Sequence, residues 1–343
     1  MKKTALFSLA ICLSACGAQQ PKPIEEVNPM VYANSITPEE LKDHLFVFAG
    51  DEFEGRETGE PGQKKAAAYL KEEYQDLDIP SPLGEDDYYQ EVPSSAFRSG
   101  DIKDTENVLA YIEGSTIPEE VLVISSHYDH VGIDEEGNIY NGADDDGSGT
   151  VAILEIAEAF MEAVEDGYRP KRTILFLNVT GEEKGLVGSR YYTENPVFPL
   201  EQTVTNLNID MIGRIGEGME DAGDYVYLIG SDRLSTELHE LSEAVNDKYL
   251  DMNLDYTYNE PDDPNRFYYR SDHYNFAKHD IPIIFYFNGV HEDYHKPTDT
   301  PDKIEYDLLS KRAKLIFLTA WEVANRDKRP FVDNPTLTEE DSE

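Results

Sequence analysis

Between residues 36 and 326, short apolar runs alternate with amphipathic stretches. The segment 37–50 begins with Thr37 ahead of Pro38, Glu39 and Glu40, an N-cap followed by acids, and predicts a helix. Residues 62–77 carry a second amphipathic pattern. Residues 107–114 and 120–130 predict strands, as does the β-rich apolar run 172–180. Further strands are expected at 204–213, 225–230 and 281–287, and helices at 234–250 and 307–326. In 150–166, Val151, Leu154, Ala157 or Glu158, Met161 and Val164 recur at helical spacing and predict one buried face. The alternation implies a three-layer α/β domain with a central mixed, mostly parallel sheet flanked by helices. Ligand sites in such sheets gather at the carboxyl ends of strands. His127 and Asp129, Glu182 and Glu183, and Asp210 all fall at such ends.

The chain has 343 residues, a length that fits one large domain or two small ones, and no internal repeat. Charge changes the picture: 70 acidic residues against 29 basic ones give a net −41. A general nucleic-acid binder needs a basic face, so that class is set aside. The excess acid suits solubility, or a salty medium where self-repulsion is screened.

The amino terminus, "MKKTALFSLAICLSAC", has two lysines and then an apolar run too short to span a bilayer. Residues 13–16, "LSAC", resemble a bacterial lipobox, which implies cleavage before Cys16 and a lipid on its thiol. The alternative is an ordinary secretory signal cut nearby. The other cysteine, Cys12, would leave with the signal, so no disulfide is expected in the mature domain. Residue 17 is Gly rather than Asp, which favours the outer membrane in a Gram-negative host. The expected division is a signal peptide at 1–15, a lipidated tether at 16–35, the catalytic domain at 36–326 and an acidic, frayed tail at 327–343. Residues 91–106 are too few to hold an inserted domain.

The sharpest chemical feature is "NGADDDGSGT" at 141–150, three adjacent carboxylates with no basic neighbour. A calcium-loop reading fails, because placing the obligatory glycine at Gly147 puts Gly142 and Ile153 at ligand positions. A helix cap remains open for Asp146 or Ser148. So does a dinuclear metal site, in which a short carboxylate bridges two cations about 3.5–4 Å apart. His127, Glu182, Glu183, Asp210 and His295 are further candidate ligands. Asp129, two residues beyond His127 on a strand, shares its face and could hydrogen-bond its far nitrogen.

Five elements in order, H-x-D (127–129), G-A-x-D-x-x-S-G (142–149), the Glu pair (182–183), Asp210 and H-x-P-x-D-T (295–300), resemble the di-zinc exopeptidases. That family includes aminopeptidase Y and the secreted bacterial leucyl aminopeptidases. "SDHYNF" at 271–276 also looks like a family element. The resemblance implies a zinc-exopeptidase (phosphorylase/hydrolase-like) fold and an exported aminopeptidase acting on peptides. It implies two Zn²⁺, one held by Asp145, His127 and Asp210, the other by Asp145, Glu183 and His295. Glu182 would be the general base acting on a metal-bridging hydroxide, and Tyr294 would stabilise the oxyanion. Arg270, before "SDH", would help to shape the substrate end of the pocket. The family often carries a cis peptide after the bridging Asp, here Asp145–Asp146.

Other readings stay in view. A glutaminyl cyclase or a carboxypeptidase of the same superfamily shares the fold, and metal counting separates the cyclase. A non-catalytic metal-binding surface lipoprotein fits the composition, but has no need of a base at Glu182. "HELSE" (239–243) imitates a zinc-helix motif, yet Glu243 stands where the second His belongs, so a solvated helix face is expected. His44 and His279 carry no partner signal, and His291 lies four residues from His295 in a loop. His130 and His273 sit in family-like segments and are candidates for the pocket. The irregular stretch 254–270 is a candidate lid or pocket wall.

Overall fold

The computed structural model describes residues 27–334. The signal peptide, Cys16 and the end of the acidic tail lie outside the described residues. Ten strands are formed: β1 (Tyr89–Val92), β2 (Thr105–Ile112), β3 (Ile117–His127), β4 (Gly132–Ile133), β5 (Ile139–Tyr140), β6 (Arg172–Val179), β7 (Thr203–Ile209), β8 (Tyr225–Ile229), β9 (Asn253–Asp255) and β10 (Ile283–Phe287). The α-helices are α1 (Met30–Ala33), α2 (Pro38–Phe48), α3 (Pro61–Asp76), α4 (Gly149–Glu165), α5 (Val187–Glu194), α6 (Thr236–Tyr249), α7 (His273–Ala277) and α8 (Tyr306–Asn325).

Eight strands make one sheet in the order β1-β2-β6-β3-β7-β10-β8-β9. The central four, β6-β3-β7-β10, run parallel, and antiparallel strands extend both sides. Alternation along the central strands divides the core. Leu122 and Ile124 of β3 and Ile174 and Phe176 of β6 face one layer, with α2, α3, α4, α6 and α8. Val121, Val123, Leu175, Leu177 and Val179 face the other, with α5 and α7. Helices on both faces leave β6, β7 and β10 buried along their whole length and β3 buried from Val121 onward, which suits the apolar stretch 174–177 in β6.

Some expectations hold and others change. Thr37 caps α2, its hydroxyl accepting from Glu40 N at 3.2 Å. α4 is not amphipathic over most of its length: residues 149–157 are all buried, while Met161 and Val164 are only half-buried. The helix lies under the sheet with α2 and α8 beside it, so burial extends well beyond one stripe. The tether expected over 16–35 is described only from 27, and there it is folded. Tyr32 stacks on Trp321 at 5.9 Å and donates to Asp166 at 2.9 Å. At the other end, residues 327–334 are tied down rather than frayed. Arg329 donates to Glu201 O and Thr203 O, and Asp333 accepts from Thr236 N.

Candidate metal centre and substrate cleft

Strand register builds the centre. His127 ends β3 opposite Val179 of β6, and Ser125 pairs with Asn208 of β7. Two residues further along that register, Asp210 comes level with His127. Glu182 and Glu183 follow β6 in the turn before α5. The triplet turn, 143–148, leads into α4, and the loop after β10 returns Tyr294 and His295.

The three triplet acids are unequal. The two oxygens of Asp145 point to different partners: Oδ1 lies 3.2 Å from His127 Nε2, and Oδ2 lies 2.9 Å from His295 Nε2. His127 Nε2 is also 3.6 Å from Asp210 Oδ1, and His295 Nε2 is 3.1 Å from Glu183 Oε1. Asp146 turns away and accepts from Gly149 N and Met211 N at 3.0 Å, so it anchors the start of α4. Ser148 does not cap; its hydroxyl donates to Asp144 and accepts from Ile212 N. Asp144 takes Gly213 N at 2.6 Å, and its other oxygen lies 3.1 Å from His291 Nε2. His291 thus has a definite place in the site's support, although its spacing from His295 carries no such signal. The Asp145–Asp146 peptide is cis.

Two glycines allow this crowding. Gly142 has φ +54, and a Cβ there would lie 2.3 Å from Asp145 O and 2.6 Å from the His130 ring. A Cβ at Gly149 would lie 2.4 Å from the Asp146 carboxylate.

Asp129 acts differently from expectation. His127 Nδ1 meets the Asp129 main-chain oxygen at 3.1 Å, while the carboxylate stays 3.8 Å away. A carbonyl only accepts, so Nδ1 donates to it, and Nε2 is the nitrogen that faces Asp145 and Asp210. The Asp129 carboxylate instead takes the Thr58 hydroxyl at 2.6 Å and Glu182 N at 3.2 Å. It positions the Glu182 turn.

Two supports were not singled out from the sequence, although Asp299 is the Asp of the H-x-P-x-D-T element. Asp299 is buried and accepts from both Asp144 N and Asp145 N. The buried Arg56 guanidinium donates to the carbonyls of Phe48, Tyr128, Asn141 and Gly142. The "GRETG" run around Arg56 could have flagged it. His273 is not a pocket residue: it is buried, stacks on Phe285 at 4.7 Å and meets Tyr268 O at 2.7 Å. His239 and Glu243 lie 3.6 Å apart on the outer side of α6, and His279 is exposed.

The electrostatics show a demand for positive charge. Burial pulls His127 and His295 toward neutrality, but Asp145 with Asp210, or with Glu183, outweighs it. His127 stands well above its ordinary value and His295 rises to about 10. Burial raises Asp145 and Glu183, yet the surrounding imidazoles outweigh it, leaving Asp145 well below the usual range and Glu183 at about 2. Glu183 Oε1 is buried without a hydrogen bond. Imidazole and carboxylate donors gather on two sides of Asp145, a set that suits metal of the zinc class. Glu182 contrasts with Glu183: burial, then Glu183, Asp210 and Asp272, push its carboxyl well up, as suits a group that exchanges protons.

A cleft of about 380 Å³ opens on this centre. Asp145, Glu182 and Asp210 form its floor, and Met211, Phe267, Phe285, Phe287 and Val290 form apolar walls. The end of the 254–270 stretch is therefore a wall, contributing Phe267. Arg270, exposed and with its guanidinium 5.0 Å over the Phe267 ring, and Tyr294 also line the cleft. The Tyr294 ring stacks on His295 at 4.0 Å.

Residues 107–320 match the family model described as Peptidase family M28. A probable zinc metalloprotease of Pyricularia oryzae is 28% identical over 270 residues, covering 67% of this chain and 52% of that protein. A probable leucine aminopeptidase of Arthroderma benhamiae is 30% identical over 223 residues, covering 64% of this chain and 57% of that protein. The chain thus spans about half the length of these two curated relatives. Among solved structures, a zinc aminopeptidase from Bacillus subtilis superposes with a TM-score of 0.65 at 15% identity, covering 86% of this chain and 97% of that one, a likeness of fold.

Proposed function

Because the chain belongs to peptidase family M28, we propose that it is a two-metal aminopeptidase that removes amino-terminal residues from peptides. One observation carries the reading: the two oxygens of a single buried carboxylate, Asp145, face separate histidine–carboxylate sets. His127, Asp145 and Asp210 would hold one ion, and Asp145, Glu183 and His295 the other. When bound, the ions supply Lewis-acid charge and make water acidic enough to act as a nucleophile near neutrality.

The chain's own residues do the rest. Glu182 takes the proton from the attacking water and returns it to the leaving amine. Asp129 holds the Glu182 main chain in place through its N–H. Tyr294, on the cleft wall beside His295, offers its hydroxyl to the developing oxyanion. The carboxylate floor receives the substrate's terminal ammonium, which gives the preference for a chain end. The apolar walls exclude water and suit an apolar first side chain, with Arg270 at the rim. Export and a lipid on Cys16, with membrane contact through that lipid alone, belong to the same reading and rest on residues 2–16.

The test is hydrolysis of a panel of aminoacyl-anilides and peptides, with and without chelator, beside metal counting. Glu182→Gln is expected to retain two ions and lose turnover by about 10²–10⁴-fold or more. Full activity in that variant refutes Glu182 as the base, and chelator-insensitive or absent hydrolysis refutes the function.

A further inference from the structure

His130 stands three residues past His127, on the Oδ2 side of Asp145. Its Nδ1 lies 3.1 Å from Glu183 Oε1 and 3.8 Å from Asp145 Oδ2. These are the same two oxygens that His295 Nε2 approaches at 3.1 and 2.9 Å. A tetrahedral ion with bonds of about 2.0–2.1 Å separates its ligand atoms by about 3.3 Å. The four separations scatter around that value. We propose that His130 is a fourth protein ligand of the second cation, beside Asp145, Glu183 and His295; the inference rests on the two-metal reading above.

Three observations support it. The His130 ring is fully buried, yet neither nitrogen makes a hydrogen bond, and neither does Glu183 Oε1 beside it. An imidazole with both nitrogens unpaired is costly to bury unless something else meets it. The other fully buried imidazole outside the centre, His273, has its partner in Tyr268 O. Second, the ring cannot swing away. Its main-chain N–H is tied to Arg56 O at 3.1 Å, and Gly142 is packed so close to its face that a Cβ there would lie 2.6 Å from Cγ and Cδ2. Third, the rings of His130 and His295 sit edge to face, with centroids 5.6 Å apart, so both direct a nitrogen at the Asp145–Glu183 pair without overlapping.

The consequence is an asymmetric pair of half-sites. The ion beside His127 would have three protein ligands, His127, Asp145 and Asp210. The ion beside His130 would have four protein donors around it, one more than the ion beside His127. The second ion is then the more tightly held.

The experiment strips the purified protein of metal and retitrates wild type, His130→Gln and His295→Gln with Zn²⁺ by calorimetry and with Co²⁺ by visible absorption. Wild type is expected to take two ions. His130→Gln is expected to weaken one site by more than about 100-fold, beyond what loss of an outer supporting partner costs, and to change the Co²⁺ spectrum as His295→Gln does. Two ions bound by His130→Gln with the wild-type Co²⁺ spectrum overturn the inference and leave the two-metal reading intact. Fewer than two ions in wild type overturn that reading itself. If His130→Gln does not fold, His130→Ala with added imidazole decides: imidazole restoring the second ion supports ligation, and no restoration in a folded protein refutes it.

Discussion

Glu155, far from the cleft, offers a clean measure of how the fold handles its acidity. It lies on α4, 2% exposed, with Oε1 lacking a hydrogen bond and 3.5 Å from His44 Nε2. Burial, and then Glu158, Glu40, Glu73 and Glu162, lift its pKa from 4.5 to about 9. An acid with a raised folded pKa is neutral in the fold while the unfolded chain ionises. Its cost is absent below pH 4.5, grows as pH rises, and levels off only above about pH 9. Each pH unit in that window costs about 1.4 kcal/mol, so the cost is about 1 kcal/mol at pH 5 and up to about 4–5 kcal/mol at pH 8. Glu155→Gln keeps the shape and removes the ionisation. At about 1.5–2 °C per kcal/mol for a chain of this length, it should melt several degrees above wild type at pH 8 and within about 2 °C of it at pH 5. Melting curves of both proteins from pH 5 to 8 make the measurement. A variant no more stable than wild type at pH 8, or a gain that does not change with pH, would show that Glu155 is not held neutral by its surroundings.

Further outcomes follow from the site and the charge. Chelation should lower the melting temperature by about 8 °C, if two ions each at about 100 times their Kd contribute about 2.7 kcal/mol; a scan with and without chelator checks it, and no shift would speak against bound metal. Asp129→Ala should slow turnover about 10–100-fold while metal content stays at two, because its carboxylate holds Glu182 N and not His127; loss of an ion would reverse that assignment. Raising NaCl from low salt to about 1 M should increase the melting temperature of a chain with net charge −41, and a flat or falling curve counts against mutual repulsion as a destabilising force.

What could be read from residue order was what local chemistry dictates. The buried strands announce themselves as β-rich apolar runs, and the candidate ligands fall where those runs stop. The unequal roles of Asp144, Asp145 and Asp146 followed from a family resemblance, and the structure places each in turn: support, centre, helix anchor. The rest depends on which distant main-chain groups meet. Asp129 was expected to reach His127 through its side chain because residues two apart share a strand face. But β3 ends at His127, and the turn presents the carbonyl instead. Arg56 and Asp299 hold the triplet turn through its peptide groups, and a main-chain partner has no residue type to recognise, so even Asp299, inside the H-x-P-x-D-T element, shows no partner in the sequence. Nor does spacing reveal that His130 and His291 converge on the same turn, since their loops meet it only in the folded chain. The burial of α4 beyond one stripe likewise needed the positions of α2 and α8.

The Asp299 and Arg56 clamps have an evolutionary consequence. Both grip the backbone of the triplet turn, so the geometry of the centre is insulated from the identity of most neighbouring side chains. The cleft walls come largely from elsewhere, from β10, Val290 and the end of the 254–270 stretch. Mutations that reshape Phe267, Phe285 or Val290 can therefore drift under selection for a new diet without disturbing the bond-breaking apparatus. In this scaffold, adaptation to a new substrate and retention of chemistry are separable problems.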